Sequence, residues 1–233
     1  MEVIDIAESI DSYREACNEN EANRLARKGH VYELSEITPA AAAALQAAAA
    51  EIPLLNTCEL VILDSSADSG FPHTRPNNFI CLPANMCTER VSQEFKVTLL
   101  HEAIHIHQRN HVSEWNNGCS RAGWKPIPSD RIPSKFVERV RINPDTMSTP
   151  FWAWDTHHVP LPLFKATPRL NDAPIQWLDL RNDTLFHTPP PSFVKMYGSS
   201  VHQPEHPYEI YAENFSKMQY NTSDIILEKL RTI

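Results

Sequence analysis

Glycine is scarce in this chain: five residues in 233, against nineteen prolines. The connections between elements are therefore expected to be long, stiff and irregular, above all in the second half, where the prolines crowd. No long basic run occurs and the formal net charge is −8. That excludes a general nucleic-acid binder and a protein drawn to anionic membrane surfaces. No apolar run approaches the ~20 residues that span a bilayer. The amino terminus is acidic and lacks the cationic start and apolar core of a secretory signal. The five cysteines (Cys17, Cys58, Cys81, Cys87, Cys119) are odd in number and include no close metal-type pair, so a reduced, cytoplasmic setting is expected. What is present is ample apolar content, 42% of 233 residues. That suffices for a proper core, and the chain reads as a single domain over 1–233 carrying a large insertion.

The most informative stretch is Thr98-Leu99-Leu100-His101-Glu102-Ala103-Ile104-His105. It holds His-Glu-x-x-His in a run free of Gly and Pro from Val91 to Gln108. On an α-helix, His101 and His105 lie one turn apart on one face, a spacing that lets two neutral imidazoles hold one tetrahedral zinc ion. Glu102 is rotated about 100° from His101. It misses the metal but can reach a water held there and take its proton. Phe95, Leu99, Ala103 and Ile106 fall opposite the histidines, and Val97, Leu100 and Ile104 flank them. The helix is therefore expected to be buried on most sides, with its polar face turned to a cleft.

Residues 9–28 read as one helix with a loose stripe of Ile10, Tyr13, Cys17 and Leu25, stopped at Gly29. Thr38-Pro39 opens a second helix through the alanine run 40–50, with Thr as cap and Pro in the first turn. Residues 58–63 and 79–82 are short strand candidates, separated by a polar loop over 64–78. From Val112 to Pro191 periodicity is weak, and only 135–142 looks regular. All five tryptophans (Trp115, Trp124, Trp152, Trp154, Trp177) fall in this stretch. They suit a loop-rich subdomain with its own small aromatic core or, alternatively, the lining of a cleft. Asn143-Pro-Asp145-Thr is a turn signature. A helix is expected from Pro207, with Tyr208, Tyr211, Phe215 and Met218 as its apolar stripe and Glu209 and Glu213 along its flank. A last short helix covers 224–230, with Ser223 as cap.

A catalytic zinc needs a third protein ligand and an open position, and two residues compete for it. His111 completes the metzincin spacing H-E-x-x-H-x-x-G-x-x-H, except that Gln108 stands where that pattern needs glycine for a sharp turn. The other is Glu209. Glu209-Ile-Tyr-Ala-Glu213-Asn-Phe resembles the glutamate helix of the gluzincins, E-x-x-x-D/E. It is especially similar to the E-F-F-A-E-x-F helix of anthrax lethal factor-like peptidases. That resemblance covers the motif helix and the glutamate helix, and the order strand, loop, strand, motif helix resembles the upper half of zincin metallopeptidases. It implies Glu209 as the zinc ligand and Glu213 as the acid that steadies a zinc-binding imidazole. It also implies Tyr197, in Tyr197-Gly198, as a donor to the oxyanion, and a strand beside the cleft that pairs with an extended substrate.

The expected fold is α+β: a zincin-like domain with an active-site helix, a small sheet and an irregular, Pro- and Trp-rich insertion over 112–191. The expected function is zinc-dependent hydrolysis of peptide bonds in a peptide or protein substrate, with no nucleic-acid and no membrane partner. Zn2+ would sit on His101, His105 and Glu209, with Glu102 as general base. A zinc lyase or small-molecule hydrolase on the same scaffold, and a non-catalytic zinc-binding protein, are the rival readings.

Overall fold

The structure, a computed structural model, describes residues 3–199 and 201–233. The helix expected over 9–28 is three short ones: α1 (Val3–Asp11), α2 (Tyr13–Glu19) and α3 (Glu21–Ala26). Ser12, at φ 51°, breaks the first junction. At the second, Asn20 accepts from the Asn23 amide at 3.0 Å and starts a new helix. Of the expected stripe, Tyr13 and Cys17 are buried while Ile10 and Leu25 are exposed. α4 (Pro39–Ala50) begins as its sequence predicts, with Thr38 Oγ1 accepting from the Ala41 amide at 3.1 Å.

A three-stranded sheet follows: β1 (Glu59–Leu63), β2 (His73–Arg75) and β3 (Phe79–Pro83). The order is β1-β3-β2, with β1 parallel and β2 antiparallel to β3. β2 lies in the stretch expected as polar loop. Its His-Thr-Arg sequence carries no strand signal, yet all three residues are buried. Polar partners make that possible: Arg75, 1% exposed, donates to Asp11 and Glu8 of α1 at 2.7–2.9 Å and stacks on Tyr13.

The motif helix is α5 (Gln93–Asn110), capped by Ser92 Oγ on the Phe95 amide at 3.1 Å. Phe95, Leu99, Ala103 and Ile106 are buried as expected. α6 (Val112–Arg121) starts directly after the bend at His111.

The region 112–191 is the main departure from the sequence reading. It is not irregular. β4 (Trp124–Pro126), β5 (Trp152–Trp154), β6 (His158–Pro162), β7 (Ile175–Asp179) and β8 (Thr184–Phe186) form one antiparallel sheet in sequential order. The short α7 (Ser134–Val137) precedes β5 and is all that is helical of the regular stretch expected over 135–142. Side chains alternate across a sheet, and this alternation assigns the tryptophans. Trp152, Trp154 and Trp177 join the main core with Trp115, Trp124, α5 and the last helices. Ala153, Val159, Leu161 and Leu178 face a second, aliphatic cluster with Ile132 and Phe136. The aromatic side chains therefore do not make a private core. Each buried ring removes about 150–250 Å² from water, which fastens the sheet to the body carrying α5.

α8 (Pro191–Tyr197), α9 (Pro207–Lys217) and α10 (Ser223–Thr232) complete the chain. α9 packs along α5 with Tyr208, Ile210, Tyr211 and Phe215 in the main core. Met218, expected in that stripe, is the exposed residue after the helix. The architecture is thus mixed α and β, and among the described residues no helix is long and apolar enough to cross a membrane.

Candidate metal centre

Two helices build the site. α5, sunk in the core by its apolar sides, turns His101 and Glu102 into a small cavity and buries His105 one turn further on. α9 is fixed at its start by His206. The His206 Nδ1 accepts from the Tyr208 amide at 3.0 Å, while its Nε2–H donates to the Thr149 carbonyl at 2.8 Å. The first bond needs a neutral ring, and burial pushes the His206 pKa down to about 4. With Tyr208 and Tyr211 held in the core, Glu209 faces α5 and is 2% exposed.

His101 Nε2 and His105 Nε2 lie 3.0 Å apart. Glu209 Oε2 is 3.4 Å from the first and 3.3 Å from the second. Tetrahedral ligands at zinc bond lengths of ~2.0–2.1 Å are about 3.3 Å from one another, so this triangle fits that ion. Among the described residues it is the one group of three or more His, Cys, Asp or Glu whose donor atoms lie within 4.8 Å of each other. The electrostatics agree. Burial alone would raise the Glu209 pKa, but His105 and His101 outweigh it and hold the carboxyl well below its usual range. Burial would lower His105, but Glu209 and Asp145 outweigh it and lift the imidazole to about 10. The Glu209 carboxylate thus faces a positively charged His105.

Two neighbours that sequence reasoning missed orient these groups. Gln108 Oε1 accepts from His105 Nδ1–H at 2.6 Å, and Gln108 Nε2 donates to the Tyr208 carbonyl at 2.9 Å. That bond selects the tautomer whose Nε2 lone pair points into the cluster. Asn143 Nδ2 donates to Glu209 Oε1 at 2.7 Å and leaves Oε2 for the cluster. In the sequence, Gln108 is notable only as the residue in a glycine position and Asn143 only as a turn former.

Glu102 stands beside the triangle and is 4% exposed. Its Oε2 has no hydrogen-bond partner. Burial, with Asp145 and Glu209 adding to it against His101 and His105, raises its pKa to about 7.

Other expected residues are placed elsewhere. Tyr197 ends α8 inside the aromatic cluster. Its hydroxyl accepts from Trp124 Nε1 at 3.0 Å and contacts the Tyr211 hydroxyl at 3.2 Å. Tyr211 is two residues beyond Glu209 on α9, about 200° around the helix, so Tyr197 sits on the far side from the triangle and not at an oxyanion position. Glu213 pairs with Lys217 one turn on, rather than with a histidine of the triangle. His111 terminates α5 and stacks on His107 at 4.2 Å between centroids. It lines a different cavity with Thr222 and Ser223. Asp145, read as a turn former, does donate its amide locally to Asn143 Oδ1 at 3.0 Å, but its carboxylate accepts from Thr74 of β2. None of the five tryptophans lines the cavity over the triangle.

These contacts set an expected result. Gln108→Ala lowers zinc affinity about 10- to 100-fold, the usual effect of removing a group that orients a ligand, whereas Glu213→Ala leaves it within about twofold of wild type. Competition against a chromophoric chelator measures both. A large loss with Glu213→Ala and none with Gln108→Ala would restore the role that the gluzincin pattern gives Glu213.

No protein-family model, no curated protein and no solved structure matches this chain, so the functional reading rests on the geometry of the site.

Proposed function

We propose that the protein is a zinc-dependent hydrolase of amide bonds, a metallopeptidase of the zincin-like, gluzincin type. One observation carries the reading: the triangle of His101, His105 and Glu209 at 3.0–3.4 Å, with the unpartnered Oε2 of Glu102 beside it. The residue order adds to it, since the His-Glu-x-x-His helix packs directly on the helix that bears the glutamate.

Zinc held by the three side chains would supply Lewis acidity, polarising the substrate carbonyl and acidifying a water. The chain's own residues do the rest. Gln108 and Asn143 keep His105 and Glu209 aimed. Glu102 takes the water's proton on Oε2 as the water oxygen bonds to the carbonyl carbon. It then delivers that proton to the departing nitrogen as the C–N bond breaks. A pKa raised toward neutrality suits a group that must first accept and then give up a proton.

Purified protein is expected to carry about one zinc per chain. Removing zinc with a chelator abolishes hydrolysis of a peptide library, and adding zinc back restores it. Affinity follows pH with a defined sign. In the metal-free protein Glu209 holds a proton on His105 up to about pH 10. Zinc must displace that proton, so binding releases about one proton at neutral pH and weakens as pH falls. Titration calorimetry in buffers of different ionisation enthalpy reads the proton directly. Protein that binds no zinc, or binds it equally at pH 5 and pH 8, overturns the proposal.

A further inference from the structure

We propose that this site, taken as the zinc hydrolase site above, receives a small amide or the free end of a chain, end-on, and not the interior of an extended polypeptide. The carrying observation is that β2, the strand beside the cavity, is closed to a substrate backbone.

In an antiparallel pair a residue turns both its main-chain groups either toward the partner strand or away from it. Thr74 is the middle residue of β2, and both of its groups are taken from outside the sheet. Its amide donates to Asp145 Oδ1 at 2.7 Å and its carbonyl accepts from Arg109 Nη2 at 2.9 Å. The Thr74 hydroxyl adds bonds to the same two side chains. With a period of two, the next outward positions are 72 and 76, and both are proline, which has no amide to give. Every outward donor along Pro72–Pro76 is therefore absent or occupied. The opposite edge of the sheet is covered as well: Ser35 N–H reaches the Ile62 carbonyl and Asp64 N–H the Glu33 carbonyl, each at 2.9 Å.

The cavity agrees. It measures about 110 Å³, below the ~300–1,000 Å³ of typical small-molecule sites. The amino-terminal helices wall it in. Asn23 donates to the Val140 carbonyl at 2.8 Å and accepts from the Ile142 amide at 2.9 Å, and Arg27 donates to the Ile142 carbonyl at 2.9 Å. Arg27 and Arg141, the arginines at its wall, are paired with Asp68 and Glu205. Phe71, Pro72, Ile142, Pro144 and Leu170 supply apolar surface. Such a space suits a short group next to the scissile amide.

The test uses the full chain loaded with cobalt(II), whose visible spectrum reports the metal and any ligand that reaches it. Acetohydroxamate and an N-acetyl-tripeptide hydroxamate are titrated in turn. The expected result is that acetohydroxamate shifts the spectrum and the tripeptide compound binds at least about tenfold more weakly. Asp145→Ala, which frees the Thr74 amide, is expected to narrow that gap, read as the ratio of the two affinities so that any change at the metal common to both compounds cancels, and its bound cobalt spectrum shows that the variant is folded. Tighter binding of the tripeptide compound to the wild type, or an unchanged gap in the variant, overturns the closed-edge proposal. Absence of a bound cobalt spectrum overturns the metal site itself, and this inference with it. On active protein, a blocked dipeptide amide and a long peptide with free ends then separate the two sources of a short amide.

Discussion

Glu209→Ala is expected to abolish tight zinc binding, while His111→Ala leaves zinc content within about twofold of wild type. The first effect is large because Glu209, as the proposed third ligand, would supply both a donor atom and the negative charge of the triangle. Apparent zinc affinities of about 10–16 kcal/mol for four-ligand sites put one ligand at roughly 3–4 kcal/mol. Its loss therefore weakens binding on the order of 10²- to 10³-fold. His101 and His105 would remain, but two imidazoles on one helix leave half the coordination sphere to solvent. His111 is no substitute. α5 runs on through Gln108 to Asn110 without the sharp turn that a glycine would permit, and the His111 ring is stacked on His107. Metal analysis of the purified variants, with affinity by chelator competition, decides the matter. Zinc lost with His111→Ala and kept with Glu209→Ala would make the protein a divergent metzincin.

How much of this was legible in the residues depends on how local the determining physics is. α4 and α5 were readable because caps and helix propensity act within one turn: Thr38 and Ser92 cap where their sequence places them. β1 and β3 were readable as short apolar runs, and the His101–Glu102–His105 spacing as a helical face. β2 was not, since His73, Thr74 and Arg75 are polar residues buried by partners on α1, α5 and the turn at Asp145. The five-stranded sheet was obscured by strands of three to five residues, with prolines at 126, 160 and 162. The Trp-Ala-Trp alternation of β5 was its one usable signal. Within the site, the proposed ligands announce themselves by residue type, but the residues that orient them do not. Asn143 reaches Glu209 across 66 positions of sequence, and no spacing rule reports that. The pattern of a known family instead suggested Glu213 and Tyr197, and the packing of α8 and α9 sends both elsewhere.

Glu102→Gln is expected to lower turnover about 10²- to 10⁴-fold, the range for removing a general base, with zinc content unchanged. The amide is nearly the same shape but cannot accept the proton. Because Glu102 is outside the triangle of donor atoms, the metal should stay. A second consequence separates this base from a merely structural carboxylate. Burial raises the Glu102 pKa from 4.5 to about 7, so in the metal-free protein the folded state holds its proton more tightly than the unfolded chain does. By linkage, stability is then fully present below about pH 4.5 and falls as pH rises through 7. That penalty at pH 8 is on the order of 3 kcal/mol for a shift of this size. Glutamine cannot ionise, so metal-free Glu102→Gln protein should melt higher than wild type at pH 8 and at nearly the same temperature at pH 5. Thermal unfolding of the two metal-free proteins at the two pH values measures this, alongside the turnover assay. A variant that hydrolyses substrate at the wild-type rate would remove Glu102 as the base. One that is less stable at pH 8 would show the carboxylate to be a structural partner, because only an unsatisfied buried charge destabilises the fold that holds it in reach of the substrate.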